Sequence, residues 1–287
     1  CKGKRMSFPD IVSQFSPWID EVRGKLVPNQ LLSEITWFRV GGPAQLFFQP
    51  ADEDDLAYFL KNLPEDIRVT VIGLGSNLLI REGGIDGVVI RLSAKGFGKA
   101  AVEDGHRIRV GTAMPDVKVA TAAAEAGIDG LTFYRGIPGG IGGALYMNAG
   151  CYGTETRDRV VELRGVTRQG EIVTLSNADM NYRYRKSNGP RGLIFTSAVY
   201  QGVPGDKEAI LGRMREITDK RESSQPTRAR TGGSTFKNPE GHSSWKLIDE
   251  AGDSIEISLT DNKLKFSFDH ITLTTKLIDG TFPDYER

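Results

Sequence analysis

The chain has 287 residues and balanced charge, with 37 Lys plus Arg against 37 Asp plus Glu. This length allows one large domain or two to three ordinary ones, and the balance excludes a global field that favours nucleic acid or an anionic membrane. The longest apolar stretches are strand-sized, short of the roughly 20 residues of a membrane span, and no signal-peptide core follows residues 1–5, so we expect a cytoplasmic protein.

Cysteine and histidine are scarce. Cys1 and Cys151 have no paired spacing, and the three histidines are scattered without a second ligand three or four residues away. The sequence therefore predicts neither a disulfide framework nor a metal site. We expect Cys151 to be a reduced, inert small residue.

The first part of the chain predicts an arm, two strands, a helix and a further strand. Residues 7–32 contain prolines among apolar positions and suggest an irregular arm, and residues 36–48 suggest two strands joined by a Gly-Gly-Pro turn. A helix is predicted to begin near Asp52, whose carboxylate caps it, and to end at Pro64. The apolar residues 69–72 suggest a buried strand.

The remaining pattern mixes strands and helices without strict alternation, which is typical of an α+β fold. One helix is predicted at residues 115–126 with Gly127 at its C-terminal cap, and an amphipathic helix at residues 206–221. A domain boundary is predicted near residues 202–207. Further strands are predicted at residues 86–92, 106–112 and 159–175.

A glycine loop, residues 73–79 (GLGSNLL), directly follows the predicted strand at residues 69–72. Its backbone amides could point at an anion without side chains in the way, which suggests a phosphate cradle. The alternative is an ordinary turn. The spacing does not match the dinucleotide fingerprint G-x-G-x-x-G, so a Rossmann fold is disfavoured.

A second glycine segment, residues 136–150 (GIPGGIGGALYMNAG), precedes or opens a short helix. Small residues let the main chain approach a flat or charged ligand, and a helix start offers unpaired amides to a pyrophosphate. Two such loops fit a dinucleotide diphosphate. The alternative is close packing of a helix on a sheet, which also selects glycine and alanine.

Five motifs occur together in the order and spacing of one family. They are residues 36–42 (TWFRVGG), 73–79 (GLGSNLL), 136–150 (GIPGGIGGALYMNAG), 182–187 (YRYRKS) and 232–239 (GGSTFKNP). Over residues 6–251 the chain therefore resembles the bacterial UDP-N-acetylenolpyruvoylglucosamine reductases, flavoenzymes of peptidoglycan synthesis.

The resemblance implies an α+β fold with a two-subdomain FAD-binding region of the vanillyl-alcohol-oxidase/PCMH type, an incomplete α+β substrate domain and a β-hairpin-like tail. The implied boundaries are an arm at residues 1–32, an FAD-binding region at 33–204 with subdomains at about 33–92 and 93–204, a partial substrate domain at 205–252 and the tail at 253–287.

The resemblance also implies two cofactors, FAD and NADPH, of which NADPH reduces the flavin and then leaves. The two glycine segments would hold the FAD pyrophosphate, ribityl chain and ring. The residues that match are Gly73, Gly75, Ser76, Asn77, Leu78, Gly139, Gly140, Gly143, Asn148 and Gly150.

The substrate implied by the resemblance is a UDP-linked enolpyruvyl sugar, in which hydride adds at the β-carbon and negative charge develops on the carboxylate side. Arg185 matches the family's catalytic arginine. A guanidinium suits this role, because it is a fork-shaped cation and negative charge develops on the substrate carboxylate. Ser234 matches the serine that protonates the α-carbon. Without the resemblance, Arg185 would be interpreted as part of a surface ion pair or an exposed strand face. Ser234 would be interpreted as a turn or cap residue. Tyr184, Lys237 and Asn238 would contact the substrate.

Residues 253–287 depart from the reductase pattern. The family's C-terminal segment with its catalytic glutamate is not found there, and Glu250 does not match it. Residues 276–285 (KLIDGTFPDY) instead resemble part of a bacterial DNA polymerase sliding clamp, and alternation through residues 255–268 predicts a β-hairpin. One hairpin cannot encircle DNA, so we predict no nucleic-acid partner and interpret the tail as a clamp fragment fused to a truncated reductase.

The sequence thus predicts a monomeric FAD-dependent NADPH reductase of UDP-N-acetylglucosamine enolpyruvate, with turnover impaired by the missing segment. One alternative is another oxidoreductase on the same flavin scaffold, which need not share Arg185 and Ser234. The other is a non-enzyme, a flavin-binding remnant or interaction module that binds FAD without oxidising NADPH.

Overall fold

A computed structural model describes residues 7–224, 236–250, 256–260, 263–268 and 271–276. The chain divides into two compact units, Cys1–Thr231 and Gly232–Arg287. The first unit contains two large sheets and both glycine segments, whereas the second contains a short helix and a three-stranded sheet.

The first sheet has the strand order β1-β2-β4-β3, with bounds Lys25–Leu31 (β1), Pro43–Gln49 (β2), Val69–Val71 (β3) and Ile85–Ile90 (β4). Strand β1 pairs antiparallel with β2, whereas β2, β4 and β3 run parallel. Because parallel strands end at the same edge of a sheet, the carboxyl ends of β3 and β4 lie together. The first glycine loop begins at this edge.

Helix α1, Glu53–Asn62, has the start, face and end predicted for it. The Asp55 amide donates to the Asp52 carboxylate at 3.0 Å, which caps the first turn. Phe59 is buried and stacks on Phe48 of β2 with ring centroids 4.1 Å apart. The cap residue Leu63 precedes Pro64, which cannot continue the helix.

Three expectations for this part of the chain are wrong. The predicted irregular arm contains the regular strand β1, which tolerates Pro28 because β1 lies at the sheet edge. Residues 36–42 form turns and bends instead of a strand. The strand predicted as buried is the other edge strand, β3, and Val71 is 48% exposed.

The first unit continues with short and long strands in chain order, Ala100–Glu103 (β5), Arg107–Gly111 (β6), Ile128–Asp129 (β7), Gly150–Cys151 (β8), Thr154–Glu155 (β9), Val160–Val166 (β10), Ile172–Ser176 (β11), Ile194–Gln201 (β12) and Val203–Pro204 (β13). The second sheet is antiparallel with the order β11-β10-β12-β6-β5. The strands predicted at residues 86–92 and 106–112 are therefore confirmed, while the stretch predicted at residues 159–175 forms two strands, β10 and β11, joined by a turn.

The later helices of the first unit are Ala94–Phe97 (α2), Asp116–Glu125 (α3), Ile141–Met147 (α4) and Lys207–Ser224 (α5). The 3-10 helices are Val12–Phe15, Trp18–Glu21, Leu32–Glu34, Thr132–Gly136, Thr156–Asp158 and Ala178–Met180. Helix α3 ends before Gly127, whose φ of +67° is the left-handed conformation expected after a helix.

Helix α5 belongs to the first unit. Ile210 and Met214 are buried on its inner face, as predicted, and the helix packs on α3 and on the 3-10 helix Thr132–Gly136. The Arg221 guanidinium donates to the Gly136 carbonyl at 2.6 Å. The two compact units divide after α5, and the domain boundary near residues 202–207 stays a prediction.

The second unit contains the helix Ser244–Glu250 (α6) and the strands Glu256–Thr260 (β14), Lys263–Phe268 (β15) and Ile271–Lys276 (β16). These strands form an antiparallel sheet in the order β14-β15-β16. The predicted hairpin is confirmed, while its predicted turn at residues 261–262 lies outside the described residues.

Candidate functional site

The two glycine segments of the first unit lie next to each other. A Cβ built on Gly140 would be 3.4 Å from the Leu74 side chain, so the segments are in van der Waals contact. The Asn77 side-chain amide lies 3.9 Å from the Met147 sulfur. The structure therefore brings together the loops that the sequence predicts to share one ligand.

In the first loop, open and packed positions alternate. A Cβ on Gly73 would meet no atom within 4 Å, whereas Gly75 has a φ of +71° and a Cβ there would lie 3.1 Å from the Ile35 carbonyl. Ser76 is half-buried and Asn77 is exposed. Leu78 packs against a buried cluster of the first sheet. The backbone of this loop thus faces open space on one side and is fixed on the other.

The second glycine segment also has both open and closely packed positions. Gly143, in helix α4, has nothing within 4 Å of an added Cβ, while Gly140 caps the helix start. A Cβ on Gly139 would be 2.9 Å from an Asp116 carboxylate oxygen, and one on Gly150 would be 2.6 Å from the Thr154 carbonyl. The cleared surfaces at Gly73 and Gly143 fit a flat or anionic group such as FAD, because no side chain covers the backbone there.

Asn148 has a role that the sequence did not predict. It is fully buried with a φ of 46°, and its side-chain nitrogen donates to Glu155 at 2.8 Å and to the Arg183 carbonyl at 3.0 Å. Its side-chain oxygen accepts from the Arg157 amide at 3.0 Å. Because Asn148 is fully buried and these contacts occupy its side-chain amide, we expect it to position the segment and not to contact a cofactor directly.

Arg185 is anchored on the end of the second glycine segment. Its guanidinium donates to the Gly150 carbonyl at 2.8 Å and approaches the Asn148 carbonyl at 3.4 Å. It also lies 5.1 Å from the ring centroid of Tyr184, a cation–π distance. Tyr184 is 44% exposed, so part of this side chain is accessible to a ligand.

The segment around Arg185 is a tight turn, not the exposed strand face or surface ion pair of the alternative interpretation. The Arg183 amide donates to the Lys186 carbonyl at 2.9 Å, and Arg185 has a φ of +55°. The Ser187 hydroxyl donates to the Tyr146 carbonyl at 2.8 Å, which ties the turn to helix α4. The left-handed conformation of a non-glycine residue stores strain that the surrounding hydrogen bonds hold in place.

A buried polar cluster lies beneath the second segment. The Tyr134 hydroxyl donates to Tyr200 at 2.9 Å and lies 3.0 Å from the Thr156 hydroxyl, which bonds the Ala149 carbonyl at 2.8 Å. Asp116 is fully buried, and neither of its carboxylate oxygens has a hydrogen-bond partner among the described residues. Burial raises the pKa of Asp116 well above its usual value, which favours the neutral carboxyl in the folded protein.

Cys151 has the character predicted for it. Burial raises the pKa of its thiol to about 11, and the neighbouring cations of Arg185 and Arg221 offset only part of that rise. The thiol donates to the Phe133 carbonyl at 3.0 Å. A protonated, engaged thiol is a poor nucleophile near neutral pH.

A pocket of about 310 Å³, absent from the predicted site, lies beside the first glycine loop. Its walls come from the turn after the 3-10 helix Leu32–Glu34, from the loop and from the residue after β4. The lining residues are Glu34, Ile35, Thr36, Trp37, Arg39, Leu74 and Arg91. Arg91 lies within the strand predicted at residues 86–92, so the sequence pattern did not mark it as part of a site.

The predicted residues of the second unit are described only in part. Ser234 lies outside the described residues. Lys237 and Asn238 are exposed, and the Asn238 side-chain oxygen accepts from the Ser244 amide at 3.0 Å at the start of α6. The Ser244 hydroxyl donates to the Lys237 carbonyl at 2.6 Å. The predicted contacts of these residues with a substrate stay predictions.

Within the part of the chain that the structure describes, no group of three or more His, Cys, Asp or Glu side chains is arranged to hold a metal ion. No described helix is long and apolar enough to cross a membrane. The cytoplasmic location and the monomeric state stay predictions.

Comparison with known proteins gives two family matches. The FAD binding domain family matches residues 44–176, which carry both glycine segments. The central domain of the DNA polymerase III beta subunit matches residues 242–284, which include the predicted clamp-like stretch.

Relatives and solved structures match most of the chain. The UDP-N-acetylenolpyruvoylglucosamine reductase of Methylorubrum extorquens is 58% identical over 232 residues, covering 81% of this chain and 75% of the relative. The corresponding enzyme of Thermus caldophilus, solved as a crystal structure, has 30% identity and a TM-score of 0.69, covering 84% of each chain. The 6-hydroxy-D-nicotine oxidase of Arthrobacter nicotinovorans, at 18% identity and a TM-score of 0.51, shares the fold alone.

These matches confirm the predicted α+β fold with an FAD-binding region of the PCMH type. They also agree with the geometry, in which the Arg185 guanidinium binds the end of the same glycine segment that has open backbone at Gly143. The chain belongs to the UDP-N-acetylenolpyruvoylglucosamine reductase family.

Proposed function

We propose that this chain is an FAD-dependent reductase that uses NADPH to convert UDP-N-acetylglucosamine enolpyruvate to UDP-N-acetylmuramate in peptidoglycan synthesis. The identity to reductases of this name supports the reaction. The observation that carries the proposal is the position of Arg185, whose guanidinium is bonded to the Gly150 carbonyl at 2.8 Å on the same segment that presents open backbone at Gly143. A cation of the kind that binds carboxylates thus lies beside the glycine backbone proposed to hold the flavin.

The residues proposed to hold FAD are those of the two glycine segments. Gly73 and Gly143 leave the backbone open to the cofactor, and Gly75, Gly139 and Gly150 keep the loops in place through close packing. Bound FAD supplies hydride transfer from NADPH to the enolpyruvyl double bond.

Arg185 is proposed to bind the substrate carboxylate and to stabilise the negative charge that develops on it. Two carbonyls and the Tyr184 ring restrain the guanidinium, so little reorganisation is needed when the charge appears.

Ser234 is proposed to donate a proton to the α-carbon of the substrate, as the family motif implies. An alcohol is a weak acid in water, but an enolate is basic enough to take its proton. Tyr184, Lys237 and Asn238 are proposed to contact the substrate, with the Lys237 ammonium meeting its diphosphate.

We further propose that the tail, residues 253–287, is a clamp fragment fused to a truncated reductase. The support is the match of residues 242–284 to the central domain of the polymerase beta subunit and the antiparallel sheet β14-β15-β16. Sequencing the source locus across codons 245–260 tests the junction. An uninterrupted natural frame in independent isolates would overturn an artificial fusion.

Two separate half-reactions test the proposed activity. The purified chain, loaded with FAD, should be bleached anaerobically by NADPH and recover its visible absorbance on addition of UDP-N-acetylglucosamine enolpyruvate. Bleaching of the oxidised flavin by simple 2-hydroxy acids, which donate hydride, would instead favour a different oxidoreductase on this scaffold. Binding of FAD without any bleaching by NADPH would favour a non-enzymatic remnant.

A further inference from the structure

The second glycine segment, residues 136–150, packs against the stretch that leads into helix α3. Backbone hydrogen bonds join residues 139–142 of the segment to residues 112–116. They run from the Asp116 amide to the Gly139 carbonyl at 3.0 Å, from the Ile141 amide to the Met114 carbonyl at 3.1 Å and from the Gly142 amide to the Thr112 carbonyl at 2.9 Å. The position of residues 139–142 therefore depends on this contact.

The Asp116 side chain lies under the same contact. Asp116 is the first residue of α3 and is fully buried. One of its carboxylate oxygens is 2.9 Å from the place that a Cβ on Gly139 would take, so the carboxyl fills the space beneath the glycine backbone. Neither carboxylate oxygen has a hydrogen-bond partner among the described residues. A buried polar group without a partner is rare in native proteins and marks a candidate functional position.

A negative charge on Asp116 would be poorly accommodated. The start of a helix favours an anion, but by less than the full burial of a carboxylate costs. The guanidinium groups of Arg185 and Arg221 donate to backbone carbonyls, and neither is hydrogen-bonded to Asp116. Burial therefore raises the pKa of the Asp116 carboxyl and favours its neutral form.

The other titratable groups of the buried polar cluster keep their protons to higher pH. Burial raises the pKa values of three tyrosines above their usual value and that of the Cys151 thiol to about 11. The tyrosines are Tyr134, Tyr182 and Tyr200. Even the largest shifts known for buried carboxyls leave the pKa of Asp116 below these. Asp116 is therefore the group of this cluster that ionises first as pH rises.

We propose that Asp116 is a positioning residue that acts as a proton-linked latch: its neutral carboxyl holds residues 139–142 closed on residues 112–116, and its ionisation lets them part. When they part, water hydrates the carboxylate, which the closed arrangement does not allow. One proton passes from the carboxyl to solvent in this change. The link to a ligand rests on the proposed function, in which residues 136–150 hold FAD and must open before it leaves.

The opening equilibrium should depend on pH in one direction. In the open state the pKa of Asp116 returns towards its usual value of 3.8, whereas burial raises it in the closed state. Below 3.8 the carboxyl is neutral in both states, and the latch is fully effective. Above that value the open state gains by up to about tenfold for each pH unit, until the raised pKa is passed.

Amide hydrogen exchange of the full chain, without added cofactor, measures the opening of residues 139–142. Exchange rates at several values between about pH 5 and about pH 9, each divided by the intrinsic rate at that pH, give the protection of these amides. The test variant is Asp116→Asn, whose side chain cannot ionise. Tyr182→Phe is the matched control, because it removes another buried polar atom without a partner and its hydroxyl does not ionise in this range.

We expect the protection in the wild type and in Tyr182→Phe to fall as pH rises, by up to about tenfold for each pH unit, and to stay constant in Asp116→Asn. Low concentrations of urea should not change it, because opening of a short segment exposes little surface. Wild-type protection that does not depend on pH, or that falls only through urea-sensitive global unfolding, would overturn the latch. This wild-type result decides even where Asp116→Asn does not fold.

A second measurement tests the link to the ligand. The rate at which bound FAD dissociates, followed by its fluorescence after dilution, should rise with pH by the same factor in the wild type and stay constant in Asp116→Asn. A dissociation rate that does not depend on pH would overturn the control of ligand release. A chain that binds no FAD contradicts the proposed function, and the exchange result then still decides the latch.

Discussion

At the scale of single residues, the restraint of Arg185 decides how the proposed chemistry works. Its fork is held by the carbonyls of Asn148 and Gly150, and the cation lies over the Tyr184 ring. A lysine would keep the positive charge but could not make the same paired contacts, because an ammonium lacks the planar fork. The geometry of the cation, and not its charge alone, should therefore matter.

We expect Arg185→Lys to slow reoxidation of the reduced flavin by the enolpyruvyl substrate about 100-fold or more, the usual effect of losing a placed donor. Reduction by NADPH should change little, because Arg185 is assigned to the substrate carboxylate. Stopped-flow absorbance measures both half-reactions. Arg183→Lys is the control, since its side chain is exposed in the same turn; equal slowing by both variants would argue against the assigned role.

A similar separation of half-reactions applies to Ser234. Replacement by alanine removes the proton that the serine is proposed to give to the α-carbon, so reoxidation by substrate should slow while reduction by NADPH stays nearly intact. Rapid-mixing absorbance with each reagent in turn measures the two rates. Equal loss of both would refute the proton-donor role.

The buried carboxyl of Asp116 leads to a prediction about how the unfolding free energy depends on pH. Burial raises the pKa of its carboxyl above the usual value of 3.8, so the folded state keeps a proton that the unfolded state loses as pH rises. The unfolding free energy should therefore fall with increasing pH between 3.8 and the raised pKa, by about 1.4 kcal/mol for each unit of displacement. Asn cannot ionise, so Asp116→Asn should gain stability relative to the wild type as pH rises.

Urea unfolding at several pH values measures this difference. Asp179→Asn is a control of opposite sign, because hydrogen bonds from Ser176 lower the pKa of the Asp179 carboxyl. Its carboxylate contributes stability that is present above the usual pKa and is lost as pH falls through the lowered one. An Asp116→Asn difference that does not depend on pH would show that the pKa of Asp116 is the same in the folded and unfolded states, contrary to this prediction.

At the scale of elements, two glycines of helix α4 can test whether the second glycine segment serves ligand binding or only close packing of the helix. A Cβ on Gly143 enters open space, whereas a Cβ on Gly142 meets the Thr112 carbonyl at an ordinary 3.4 Å. Both are helical positions, so alanine should favour the helix at either by about 0.5–1 kcal/mol. Only the methyl at Gly143 would occupy the space proposed for FAD.

We therefore expect Gly143→Ala to keep or raise the melting temperature while weakening FAD binding roughly tenfold to a hundredfold, since overpacking costs about 1–3 kcal/mol. Gly142→Ala should match it in melting temperature and bind FAD as the wild type does. Calorimetric titration of both apoproteins gives the comparison. Unchanged FAD affinity in Gly143→Ala would mean that the open face of α4 lies away from the cofactor.

Elements with a strong local signal could be predicted from the sequence, and elements decided by tertiary pairing could not. Helix α1 has a capping Asp52, one apolar face and a terminating Pro64, all of which act within one segment. Strand β1 depends on pairing with β2, and its Pro28 hides the strand from a local reading. The exposure of β3 depends on its place at the sheet edge, which no short pattern encodes.

At the scale of the whole molecule, the motifs of the candidate site could be predicted from the sequence. Which of their residues face a ligand and which hold the segments in place could not. The sequence placed Asn148 among cofactor ligands, yet its buried amide is occupied by Glu155 and by backbone groups. It gave no sign of the Arg91 pocket as a site, because that pocket forms only when two parallel strands end together. Long-range proximity determines both outcomes.

The central claim is that the two glycine segments hold one FAD, and titration of the apoprotein of the full chain with FAD, followed by gel filtration and visible absorption, tests it most directly. We predict a yellow complex with one FAD per chain that retains the flavin bands through the column. A colourless protein peak, with all of the FAD eluting as free cofactor, would contradict the account.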